Sequence, residues 1–151
     1  MGRRSGVSTG RARVRRVVIL VDSSLWIEVL RGASTPATRR LRAVIGNDPS
    51  SVATTEPIMM ELLAGATGEE RFLRVSDLLA SMTLVRLDPA RDFNDAATLF
   101  RSARTGGSTI RSLMDFLIAA VAIRSGSTLW HRDTDYEVIA QFAPLETLDL
   151  R

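Results

Sequence analysis

The acids of this chain, rather than its bases or hydroxyls, carry the candidate chemistry. Asp22 ends the β-branched run Val17 to Val21. Glu61 lies beside the apolar helical stripe of Ile58, Met59, Leu62 and Leu63. Asp115 stands immediately before Phe116-Leu117-Ile118-Ala119-Ala120-Val121-Ala122-Ile123, and Asp133 and Asp135 follow Thr128-Leu129-Trp130. Each has a local explanation. Asp22 can cap the helix after it, although Ser23 and Ser24 can do so equally well. Glu61 can face solvent. Asp115 has capping-box spacing from Ser112, but the apolar residues that follow it carry the carboxylate into the interior. Asp133 can close an Asx turn, yet Thr134 and Glu137 already have the spacing of a capping box of their own. Acids in excess of local need at four separate places in the chain point to one shared purpose.

Carboxylates that converge without cationic partners repel one another, and burying an unpaired one is costly. A divalent cation between them removes both problems. An all-oxygen ligand set suits Mg²⁺ or Mn²⁺ rather than Zn²⁺. Such an ion lowers the pKa of water, orients it against a phosphodiester and stabilises the departing oxygen, and a second ion about 3.5–4 Å away can share the work. The implied reaction is phosphodiester hydrolysis.

Periodicity outlines the strands and helices that carry these acids. Strands are expected at Val17 to Val21, Ser51 to Thr54, Thr83 to Leu87, Thr128 to Trp130 and Leu145 to Leu148. Between them lie helical patterns. One covers Leu25 to Leu30, and another runs from Thr38 to Ile45 with Arg39, Arg40 and Arg42 outward. A third starts at Glu56-Pro57 and stops at Gly65. A fourth spans Glu69 to Met82, with Phe72, Val75, Leu78, Leu79 and Met82 inward. The next opens at Asp88-Pro89, carries Phe93, Ala96, Ala97, Leu99, Phe100 and Ala103, and ends at Gly106-Gly107. The run after Asp115 has no polar face, which predicts a helix buried between other layers. A last helix covers Asp133 to Phe142. This alternation predicts a three-layer α/β/α fold around a central, mostly parallel sheet of four to five short strands. In such sheets functional groups gather at the carboxyl ends of the strands.

With 151 residues the chain is expected to be one domain, residues 17–151, preceded by a tail. The formal charge of +3 conceals a division. Residues 1–16 contain six arginines and no acid, and the remainder holds 14 arginines against 17 acids. The Gly/Ser/Arg stretch lacks the apolar content to fold, so the folded body is mildly acidic. Cysteine is absent, which excludes disulfides and thiolate chemistry and allows a reduced, cytoplasmic setting. No apolar run is long enough to span a bilayer. All twenty basic residues are Arg. The lack of Lys removes a Walker A site, a receiver-type phosphoaspartate site and Schiff-base chemistry. His131 is the only histidine, and no nucleophile-elbow pattern accompanies it. Its expected part is to orient a neighbour, to touch RNA, or only to support the fold.

Four segments in this order resemble PIN-domain ribonucleases, in particular the VapC toxins of VapBC toxin–antitoxin systems. They are Val21-Asp22-Ser23-Ser24-Leu25-Trp26-Ile27, Glu56-Pro57-Ile58-Met59-Met60-Glu61-Leu62-Leu63-Ala64-Gly65, Asp115 with Leu117-Ile118-Ala119-Ala120, and His131-Arg132-Asp133-Thr134-Asp135-Tyr136. The resemblance runs from Val17 to the C-terminus. It implies that Asp22 is the first-strand metal ligand, Glu61 the second acid, Asp115 the third acid and a principal metal ligand, and Asp133 or Asp135 the fourth. It further implies Mg²⁺ or Mn²⁺ as cofactor, cleavage of RNA such as tRNA, a homodimer, and neutralisation by a cognate VapB antitoxin. Arg104 and Arg111 are candidates to meet substrate phosphate. The competing expectation is a catalytically silent PIN-like module that binds RNA or protein and tolerates replacement of its acids.

Overall fold

The computed structural model describes residues 17–151, so the basic stretch 1–16 read as a tail lies outside the described residues. The first half of the chain runs β1 (Ile19–Val21), α1 (Ser23–Leu30), α2 (Pro36–Asn47), β2 (Val52–Thr54), α3 (Glu56–Ala64), α4 (Glu69–Ala80) and β3 (Thr83–Leu84). The second half runs α5 (Asp92–Thr105), α6 (Leu113–Ser125), β4 (Thr128–His131), α7 (Thr134–Ile139) and β5 (Thr147–Asp149). The strands form one five-stranded sheet in the order β3-β2-β1-β4-β5, with every pair parallel. Among the described residues seven α-helices flank it, in the three-layer arrangement anticipated from the alternation.

Helix α6 is the centre of the packing. Eight consecutive residues, Asp115 to Ala122, are buried, as a helix without a polar face requires. Phe116, Ile118 and Val121 are fully enclosed, each a burial worth roughly 1.5–3 kcal/mol. The Phe116 ring meets that of Phe100 on α5 edge to face, with centroids 5.3 Å apart. The helix stops at Gly126, whose φ of 63° is left-handed and favours a residue without a Cβ.

The order of the strands places a crevice. The chain leaves β1 for β2 on one side and leaves β4 for β5 on the other, so the connections diverge at the carboxyl ends of β1 and β4. Asp22 and Asp133 sit just beyond those two ends.

Several boundaries differ from the expectation for identifiable reasons. Ser51 belongs to a short 3-10 turn, Pro49–Ser51, capped by Asp48. The third strand is two residues long rather than five, because the Leu87 N–H is taken at 2.7 Å by the Glu56 carboxylate instead of by a strand. Asp88 does not start α5. Its side chain accepts from the Ala90 N–H in a separate turn, and the helix begins at Asp92. Phe72, expected inward, is 43% exposed, while Val75 and Leu79 on the same helix are buried; Phe93 is likewise exposed at the start of α5.

Candidate active site

Asp22 is held on both sides of the strand pair. Its N–H donates to the Trp130 carbonyl on β4 at 2.9 Å. Its carboxylate caps α1 by accepting from the Ser24 N–H at 2.9 Å through Oδ2. Asp22 is therefore the cap, a job that either serine could have done. The serines are otherwise engaged: Ser23 donates to Glu61 Oε2 at 3.0 Å, and Ser24 Oγ accepts from the Arg132 N–H at 3.0 Å. The other Asp22 oxygen, Oδ1, accepts from the buried Tyr136 hydroxyl at 2.8 Å.

Asp115 arrives on the first turn of α6. Ser112 Oγ accepts from the Asp115 N–H at 3.3 Å, so the serine satisfies the helix end and leaves the Asp115 carboxylate for other use. The expected capping box of Thr134 and Glu137 is not present. Asp133 itself caps α7 through the Asp135 N–H at 3.0 Å, and Glu137 turns away to accept from Thr147 Oγ1 at 2.7 Å and to pair with His131 Nε2 at 3.1 Å. The Asp133 N–H donates to His131 Nδ1 at 3.2 Å, which makes Nδ1 the acceptor and puts the proton on Nε2, facing Glu137. His131 is fully buried. Contact with RNA is thereby removed from its possible parts, and it serves to hold the turn that presents Asp133. Arg132 in that turn pairs with Glu28 of α1.

One carboxylate oxygen from each of Asp115, Asp133 and Asp135 lies within 4.8 Å of the other two. Asp22 and Glu61 stand outside this triad but act on it through charge. Burial pushes the Asp115 carboxyl up to about 7; the Ser112 hydroxyl opposes this, and Asp133, Asp22 and Asp135 add to it. Glu61 is raised by burial, lowered by the Ser23 hydroxyl, and raised again by Asp22 and Asp133. Asp135 is raised by burial and by Asp133. Among the described residues none of the five acids has an ion pair. All five sequence-derived acids thus belong to one electrostatic cluster, with Asp22 and Asp115 buried and Glu61, Asp133 and Asp135 half-buried at its mouth. Hard oxygen donors in uncompensated excess are a donor set that fits a divalent cation.

The Asp115 shift has a testable sign. Its folded pKa lies above its unfolded value of 3.8, so between those two pH values the native state holds a proton that the unfolded chain releases. Metal-free stability therefore falls as pH rises through that window and levels off above about 7. Melts in EDTA at pH 5.5 and 8 should show the lower temperature at pH 8, with added Mn²⁺ restoring it there. Equal melting temperatures in EDTA would argue against a strained Asp115 carboxylate.

Residues 19–141 match the PIN domain family. A VapC ribonuclease of Mycobacterium bovis is 37% identical over 134 residues, which cover 89% of this chain and all of that protein. The chain belongs to the PIN-domain family, among its VapC ribonucleases. Ribonuclease VapC32 of Mycobacterium tuberculosis is 33% identical over 77% of this PIN-domain chain and 85% of its own length. Solved structures share the fold at lower identity. VapBC2 of Rickettsia felis, bound to a DNA fragment from its promoter, superposes with a TM-score of 0.70 at 14% identity, covering 89% of this chain and 100% of that one. Mycobacterium tuberculosis VapC20, a toxin that cleaves the sarcin–ricin loop, superposes at 0.59 with 17% identity, covering 85% and 98%.

Two residues of the site escaped the sequence reading of this PIN domain, namely Ser23 as partner of Glu61 and Tyr136 as partner of Asp22. Ser23 was read only as an alternative cap. Tyr136, the only tyrosine, stands three residues after Asp133, and nothing in its local sequence assigns it a role.

Proposed function

We propose that this PIN domain is a Mg²⁺- or Mn²⁺-dependent endoribonuclease, the toxin of a VapBC pair, acting in the cytoplasm and neutralised by a cognate VapB antitoxin. The observation that carries the metal site is the closeness of the Asp115, Asp133 and Asp135 oxygens, none of which has an ion-pair partner among the described residues. Asp22 and Asp115 are the principal ligands in this reading, with Asp133 and Asp135 completing the cup and Glu61 at its edge. The cation supplies water activation and stabilisation of charge on the phosphate. The chain's own residues do the rest. Asp22 is pinned through both oxygens, Asp115 is delivered by the rigid α6, and a half-buried Glu61 with a raised pKa is suited to receiving or returning a proton. Arg104 and Arg111 are exposed and available to bind the RNA backbone.

Protein partners are supported by two apolar surfaces left open, one around Phe93 and Leu113 on α5 and α6, the other around Met60 and Phe72 on α3 and α4. These suit an antitoxin and a second copy of the chain in a homodimer. No helix of the described residues is long and apolar enough to cross a membrane. The direct test is to free the purified protein of antitoxin and incubate it with structured RNA, tRNA included. Cleavage with Mg²⁺ or Mn²⁺ that stops in EDTA supports the reading. Cleavage undiminished by EDTA would overturn the metal-dependent mechanism, and RNA left intact with both metals would overturn the ribonuclease reading.

A further inference from the structure

We infer that Tyr136 is a positioning residue for the metal site: its hydroxyl fixes the rotation of the Asp22 carboxylate, so that the free lone pair of Oδ1 faces the acidic cup before any cation arrives. The inference rests on the metal-site reading above and adds to it a residue that touches neither cation nor RNA.

The geometry is that of a locked donor. Tyr136 is fully buried on α7, and its O–H reaches Asp22 Oδ1 at 2.8 Å. The ring packs against the imidazole of His131, with centroids 5.1 Å apart. That imidazole is itself held by the Asp133 N–H on one nitrogen and by Glu137 on the other. Asp22 Oδ2 is taken by the Ser24 N–H at 2.9 Å, so the two oxygens are fixed by donors from α7 and from α1. A carboxylate held at both oxygens cannot rotate away from its like-charged neighbours, as a singly held one would. Each oxygen keeps a second lone pair for an ion. Groups that orient metal ligands in this way typically contribute 10- to 100-fold in metal affinity or activity. The same aromatic pair joins the presentation of Asp22 to that of Asp133, because His131 anchors the turn carrying the latter.

Tyr136→Phe removes one oxygen and keeps the ring. Mn²⁺ binding, followed by the electron paramagnetic resonance signal of the free ion, should weaken about 10-fold in the folded variant. RNA cleavage should be recovered by raising Mn²⁺, with KM for RNA unchanged. A purely structural hydroxyl predicts a lower melting temperature with unaltered Mn²⁺ affinity, and that result would overturn the inference. The wild-type protein offers a second measurement that does not depend on the variant folding. As the only tyrosine, Tyr136 gives a single Cζ resonance in ¹³C-tyrosine-labelled protein. That resonance should shift on saturation with Mg²⁺, and should stay put in Asp22→Asn. A resonance indifferent to Mg²⁺ while Mn²⁺ binds normally would overturn the role of Tyr136 and leave the metal site standing. A wild-type protein that takes up no Mn²⁺ would overturn both.

Discussion

Asp115→Asn should abolish RNA cleavage while raising the melting temperature of the metal-free protein at pH 8. The two effects have one cause. Burial and three neighbouring acids push the Asp115 carboxyl up to about 7, so at pH 8 the wild-type chain carries a charge that its surroundings resist. Asparagine keeps the shape and the backbone N–H that Ser112 Oγ accepts from, so the helix end is undisturbed. It removes the charge that a divalent cation would be drawn to. Losing a group that merely orients a ligand costs up to about 100-fold, so removing a ligand itself should exceed that figure in cleavage rate. The gain in stability should be smaller at pH 5, where the native wild-type carboxyl is already protonated, and vanish only below the unfolded value of 3.8, where both states hold the proton. Melts in EDTA at both pH values, alongside cleavage assays, separate the possibilities. Marked destabilisation at pH 8 would mean that the carboxylate serves the helix end after all.

Arg124→Met is the substitution expected to harm folding most without touching the site. Asp92 opens α5 with a fully buried side chain and accepts from Arg124 Nε at 2.7 Å and Nη2 at 2.8 Å, across from the last turn of α6. Arg124 Nη2 also donates to the Arg86 carbonyl at 2.7 Å, tying down the chain beyond β3. Burial alone raises the Asp92 carboxyl; the Arg124 hydrogen bonds, helped by the Asp88 N–H, overcome this and leave it below the ordinary carboxylate range. With methionine at 124 the Asp92 carboxylate keeps only the Asp88 N–H as a hydrogen-bond donor and the nearby charge of Arg91, and stability should drop by about 3 kcal/mol, the lower part of the range because Arg124 is partly exposed. The sign with pH follows. A depressed folded pKa contributes stability above the unfolded value of 3.8 and loses it as pH falls. Denaturation curves of variant and wild type should therefore differ most at neutral pH and converge in acid. A variant as stable as the wild type at pH 7 would show that water, not Arg124, satisfies Asp92.

The parts legible in the sequence were those whose signal is continuous along the chain. The run after Asp115 announced a buried helix because eight successive side chains offer no polar face, and Asp22 was marked by its place at the end of a β-branched run. Bonds between distant residues left no such trace. Tyr136 and Asp22 are 114 residues apart, and Arg124 and Asp92 are 32 apart; nothing local in either segment names its partner. The cap of α7 was misplaced by a single position, because Asp, Thr and Glu can all cap and the choice fell to tertiary demands from His131 and Thr147 on Glu137. The third strand was overestimated for a similar reason: β-propensity was present, but Glu56 claimed the N–H of Leu87. Phe72 is expected inward on apolar character alone, and it is exposed, as is Phe93. Exposed apolar side chains of this size suit the partner surfaces proposed above.

In the mechanism proposed above, acids from separate segments hold one cation between them. Crystals equilibrated with Mn²⁺ and measured at the manganese absorption edge test it most directly. An anomalous peak ringed by oxygens of Asp22, Asp115 and at least one of Asp133 and Asp135 is expected. A peak bound only elsewhere, or an acidic cup that stays empty while Mn²⁺ sustains RNA cleavage, would contradict it.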